Sequence, residues 1–152
     1  MTALYAFTIA FVAYLSQVTG PMIVESKDCP PNTWGYADGE KVTLCTDSEP
    51  KLSREEIINH ETIHLIQTNL DVDLLMPEQM LNFLVHSTLD EAEILQVILF
   101  YGETDYMGAE FEARVLSKLP TSVIMMMYSI SEDYVLFTSG TSSIDGLPVY
   151  LQ

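Results

Sequence analysis

The chain has 152 residues, of which 22 are acidic and six basic, giving a formal charge of −16. That length is enough for one domain with a real apolar core, and a hydrophobic content of 48% excludes wholesale disorder. So acidic a chain lacks the basic patches that non-specific nucleic-acid binding or an anionic membrane surface requires, so no nucleic-acid partner is expected. Two cysteines are too few for a disulfide scaffold, and cannot build a structural zinc site alone.

Residues 1–24 contain no Asp, Glu, Lys, Arg or His, and Glu25 is the first charge. Within them Ala3–Leu15 is nearly all apolar. It is too short to span a bilayer and suits either the apolar region of a signal peptide or a packed helix. Val18-Thr19-Gly20 resembles a cleavage site, whereas Pro21 and the lack of a basic residue ahead of the run argue against export. Leu4, Phe7, Phe11, Tyr14 and Leu15 fall on one helical stripe. The compartment stays open at this point: extracytoplasmic if residues 1–20 are a signal peptide, cytoplasmic otherwise. Cys29 and Cys45 share that ambiguity, as disulfide partners in an exported chain or as buried thiols in a reducing cytosol. Between them, Pro30-Pro31-Asn32 and Ala37-Asp38-Gly39 are turn formers, and Lys41–Cys45 reads as a short strand.

From Glu55 to Ala113 there is no Lys or Arg, yet there are thirteen acidic residues. Four helices are predicted across this region. The first starts at a capping box, Ser53-Arg54-Glu55-Glu56. It carries Ile57, Ile58, Ile63, Leu65 and Ile66 at helical spacing to about Asn69. The second opens at Pro77 and runs through Met80, Leu81, Leu84 and Val85. The third spans about Leu89–Phe100 with Asp90 and Glu91 in its first turn. Gly102 and Gly108 precede the fourth, about Ala109–Leu119, which Pro120 follows.

The first helix carries His60-Glu61-Thr62-Ile63-His64. Histidines at i and i+4 project from one face, so both imidazoles can reach one ion, with the intervening glutamate beside it but not bound to it. A catalytic zinc site usually has three protein ligands and a water. Leu65-Ile66-Gln67-Thr68-Asn69 supplies no third histidine, so a carboxylate from a later helix is expected. Glu110 is the chosen residue, because Glu110 and Ala113 share a helix face at i, i+3 and the small alanine permits close approach. Glu91 and Glu93 are rivals on spacing, and Glu112 is the alternative on the same helix.

HETIH followed by EFEAR resembles the gluzincin-type metallopeptidases, in which HExxH is followed by a Glu-x-x-Ala ligand helix. HETIHLIQ after Val42–Cys45 also resembles small zincin-like proteins of bacteria and their phages, with a strand ahead of HExxHxxQ. The likeness covers about residues 40–118. It implies an α+β, predominantly helical fold: a zincin-like core, the HExxH helix packed on a carboxylate-bearing helix, a small β element before it. It further implies that His60, His64 and Glu110 bind Zn2+ and that Glu61 is the general base for hydrolysis of a peptide or protein substrate. Some gluzincins place Asp one turn after the ligand glutamate, where this chain has Arg114. Tyr101, Tyr106 and His86 are candidates for stabilising the oxyanion. Gln67 is expected either to line the site or to make a helix-end hydrogen bond. The alternative reading is a non-catalytic zincin-like metal-binding or phage-associated interaction protein. In so short a chain the substrate cleft must be shallow or completed by a partner chain.

The acidic excess is most simply solvated helix faces, though its field would favour basic substrates. Asp71 and Asp73 alone are weak evidence for a hard cation. Val123-Ile124-Met125-Met126-Met127-Tyr128 reads as core. The metallopeptidase-like domain is taken as residues 25–131, and residues 132–152 as a tail with a linker-like Thr138–Ser143. No segment is expected to span a membrane stably.

Overall fold

The architecture was established from a computed structural model that describes residues 18–47 and 52–140, with side chains to residue 136. Three strands come first: β1 (Met22–Ser26), β2 (Gly35–Asp38) and β3 (Lys41–Cys45). They form one sheet in the order β1-β3-β2, with β1 parallel and β2 antiparallel to β3. The β2–β3 hairpin pairs Asp38 with Lys41. Its two-residue turn needs a left-handed residue, which Gly39 supplies at φ +62°. The central strand β3 is buried, while Met22, Ile23 and Val24 on β1 stay exposed. Cys29 and Cys45 are joined by a disulfide that ties the loop after β1 to the end of β3.

Five helices follow: α1 (Arg54–Leu70), α2 (Glu78–Thr88), α3 (Glu91–Tyr101), α4 (Met107–Leu116) and α5 (Thr121–Gly140). The capping box at Ser53 forms as expected, with Glu56 returning to the Ser53 amide at 2.9 Å. Hydrogen bonds to Ser53, backbone first, hold the Glu56 carboxyl below its ordinary value. A second capping box, Asp90 with Glu93, starts α3. At the far end of α1, Asp71 takes φ 52° as a left-handed C-cap, and its N–H returns to Gln67 and Thr68. The chain is thus α+β and mainly helical.

The helix bearing the two histidines is the centre of the molecule. Ile57, Ile63, Leu65 and Ile66 of α1 bury against Val42 and Leu44 of the sheet, Ala113 of α4, and Ile124 and Tyr128 of α5. Ala113 has no exposed surface, so the small side chain does let α4 lie close to α1. Asn59 anchors the other side, donating to the carbonyls of Ser117 and Leu119 in the turn after α4. A separate cluster of Leu81, Val85, Leu89 and Val115 packs α2 against α4.

The last helix departs from the sequence expectation. The run at 123–128 supplies core residues as predicted, but within a twenty-residue helix that continues past residue 131, where a tail was expected, to Gly140. Ile124, Tyr128 and Ser131 form its buried stripe. The consecutive methionines put apolar groups on every face, which hides the helical period in the sequence. The remainder of the linker-like stretch, the final residues and residues 1–17 lie outside the described residues. Among the described residues no helix is long and apolar enough to cross a membrane.

Candidate metal centre

α1 presents His60 and His64 one turn apart, and α4 brings Glu110 over both. His60 Nε2 and His64 Nε2 are 3.1 Å apart, with the rings edge to face. Glu110 Oε2 lies 3.4 Å from His60 Nε2, and its Oε1 lies 3.2 Å from His64 Nε2. The side chains of His60 and Glu110 are each only 12% exposed. With one donor atom taken from each residue, the three lie within 4.8 Å of one another, close enough to share an ion. The His60, His64 and Glu110 group can therefore hold a metal ion.

The protonation pattern supports the same use. Gln67, one turn on from His64, places Oε1 2.9 Å from His64 Nδ1 and donates from Nε2 to Glu112 Oε2 at 2.8 Å. Because Glu112 accepts from the amide nitrogen, the amide oxygen must be the atom facing His64. A neutral His64 with its proton on Nδ1, donated to Gln67 Oε1, would leave the Nε2 lone pair free for a metal ion. Glu112 is itself fully buried and also accepts from the backbone N–H groups of Leu75 and Met76. A buried carboxylate thus fixes the amide, and the amide fixes the imidazole.

Electrostatics in the centre are coupled. Burial works to raise the Glu110 carboxyl, but hydrogen bonds and charge from His60 and His64 outweigh it and hold it far below the ordinary range. Burial likewise opposes the charged form of His64, and Glu110 more than offsets it, leaving that imidazole above its ordinary value. Glu61 is raised, chiefly by burial. The close contact of α1 with β2 brings in the Ala37 backbone N–H, which works the other way and lowers it. That contact depends on Gly35: a Cβ there would fall 2.7 Å from Ile57 Cγ2 and 3.3 Å from Glu61 Cγ. A glycine lets the edge strand lie directly on α1.

His60, Glu61 and Glu110 help line a cleft of about 170 Å³ between β2, α1, α3 and α4. Trp34 and Phe100 form its walls, and Tyr101 and Arg114 also face it. The Tyr101 hydroxyl is raised by burial, and next by the Glu110 and Glu61 charges.

Several expected candidates lie elsewhere. Glu93 caps α3 and pairs with Lys118 at 2.7 Å, Glu91 is exposed, and Glu112 supports the centre from behind. Of the three oxyanion candidates only Tyr101 reaches the cleft, for Tyr106 is 72% exposed and His86 is on the surface of α2. Asp71 serves as a helix cap. Sequence spacing did not reveal the Gln67–Glu112 pairing, which joins residues 45 positions apart. The Gln three residues after the second histidine was the available signal for its nearer half. No family model, curated protein or solved structure matches this chain.

Proposed function

We propose that this protein is a small zinc-dependent peptidase of the gluzincin kind, with a zincin-like core. The carrying observation is the convergence of His60, His64 and Glu110 on one point at a cleft that also holds Glu61. Two imidazoles and one carboxylate are the donor set of catalytic zinc sites that keep a position open for water. Zn2+ bound there supplies polarisation of the scissile carbonyl and lowers the pKa of water to about 7.

The chain's own groups divide the remaining work. Glu110 contributes negative charge, and the Glu112–Gln67 pair holds His64 in its binding tautomer. Glu61 takes a proton from water as its oxygen bonds to the amide carbon, then passes that proton to the nitrogen as the C–N bond breaks. Tyr101, which lines the same cleft, donates to the developing oxyanion in this reading. The Cys29–Cys45 disulfide favours an oxidising compartment for this activity.

The test is hydrolysis of a mixed peptide pool by zinc-loaded protein, beside Glu61→Gln. Turnover in the wild type, and its loss in a variant that keeps about one zinc per chain, is the expected result. Full zinc occupancy with no turnover of any peptide would replace this reading with a metal-binding interaction protein.

A further inference from the structure

Arg114 lies one helical turn beyond Glu110 on α4 and faces the same cleft. Among the described basic residues, Arg114 and the exposed Lys27 form no ion pair, and of these two only Arg114 lines the cleft. Lys41, Arg54 and Lys118 each pair with a carboxylate. Arg114 has no carboxylate within ion-pair distance among the described residues. Its Nη1 donates to the neutral side chain of Gln96 at 3.1 Å, and its Nε is buried with no hydrogen-bond partner. A partly buried guanidinium with no carboxylate in ion-pair contact is unfavourable, and such groups recur where a ligand completes the site. Gln96 holds the group in place without neutralising it.

The spacing gives the missing partner a position. Four residues of helix separate Glu110 from Arg114 by about 6 Å along the axis. One residue of extended peptide covers about 3.3–3.6 Å. A carboxylate on the residue just after the scissile amide therefore falls within reach of Arg114 while that amide sits beside His60, Glu61 and Glu110. The guanidinium is a planar donor fork that suits a carboxylate.

We propose that Arg114, oriented by Gln96, is a substrate-carboxylate site, and that the cleft takes peptides bearing a carboxylate on the residue following the scissile bond. This inference rests on the peptidase reading for the scissile bond, but the carboxylate site itself is measurable without turnover. The carboxylate has two sources, a free C-terminus or the side chain of an acidic residue, and the test separates them.

Trp34 is the sole tryptophan of the chain and lines the cleft, so its fluorescence reports occupancy. The probes are blocked dipeptide analogues with a ketomethylene in place of the scissile amide, which cannot be hydrolysed. One has a free C-terminus, one a C-terminal amide, and one a C-terminal amide with a glutamate side chain, compared with its glutamine counterpart. Each is titrated into full-length protein, zinc-loaded and metal-free, as wild type, Arg114→Gln and Arg114→Lys, with zinc content measured alongside. The expected result is that a carboxylate improves affinity about tenfold or more over its amide in the wild type. Arg114→Gln abolishes that preference and Arg114→Lys keeps part of it. Preference for the free C-terminus assigns an exopeptidase-like substrate, and preference for glutamate an internal acidic residue. Equal affinity for acids and amides in the wild type, or a preference that survives Arg114→Gln, overturns the proposal. A chain that shows the preference but never hydrolyses a peptide retains the carboxylate site and loses the peptidase reading.

Discussion

Gln67 Nε2 donates to Glu112 Oε2 at 2.8 Å, joining the end of the histidine-bearing helix to a carboxylate with no exposed surface. Through Gln67 Oε1, 2.9 Å from His64 Nδ1, this pair sets which imidazole nitrogen faces the metal centre. Gln67→Leu removes the tautomer restraint but leaves all three donor side chains in place. Zinc affinity is expected to fall about 10–100-fold, read by competition with a chromophoric chelator. Glu112→Gln presents N–H to at least one of the donors it now accepts from, and is expected to destabilise the fold by about 2–3 kcal/mol in denaturant unfolding. Unchanged affinity in Gln67→Leu would reduce the pair to packing.

Among the described residues Glu110 is the only donor to the centre that comes from outside α1. Zinc binding should therefore couple to the docking of α4 on α1. Excess zinc is expected to raise the melting temperature of the wild type, chelation to lower it again, and Glu110→Ala to respond far less to either. An equal response in Glu110→Ala would place the ion elsewhere.

Gly35 is where β2 touches α1, and Ile57 and Glu61 leave no room for a Cβ. Gly35→Ala is expected to destabilise by about 1–3 kcal/mol through overpacking and, on the proposed peptidase reading, to lower turnover by shifting Glu61. Gly39→Ala provides the contrast. A Cβ at Gly39 meets nothing within 4 Å, so its effect is confined to turn strain at φ +62° and leaves turnover intact.

Tyr128 is pushed up to about 12 by burial, then by the charge of Glu132 and its hydrogen bond, and by the charge of Glu40. The neutral phenol is the form the fold favours. Its contribution to stability is fully present below the ordinary value of 10.0 and is lost as pH rises through about 12. NMR titration of ring-labelled tyrosine, assigned with Tyr128→Phe, should show this residue ionising well above the ordinary value. Glu132→Gln should bring it down toward the ordinary value.

The start of α1 and the i, i+4 histidines were legible because both are written within a few consecutive residues. Glu110 was legible only as the best of four carboxylates. What decides against Glu93 is its use as a cap and in a pair with Lys118, and what decides against Glu112 is its burial behind Gln67. α5 escaped notice because Met125, Met126 and Met127 blur its apolar stripe, although Ile124, Tyr128 and Ser131 face inward at helical spacing.

By itself the sequence determined where the first four helices begin, that two imidazoles share one face, and that a glutamate stands between them. Caps and helical periodicity are local, set by backbone donors and side chains three or four positions apart. Only the tertiary structure decided which carboxylate closes the centre, how His64 is oriented, that Cys29 and Cys45 bond, and that Arg114 faces the cleft without a counter-charge. Each of these depends on how helices and strands distant in the chain pack together, and the close approaches at Ala113 and Gly35 are where α4 and β2 meet α1.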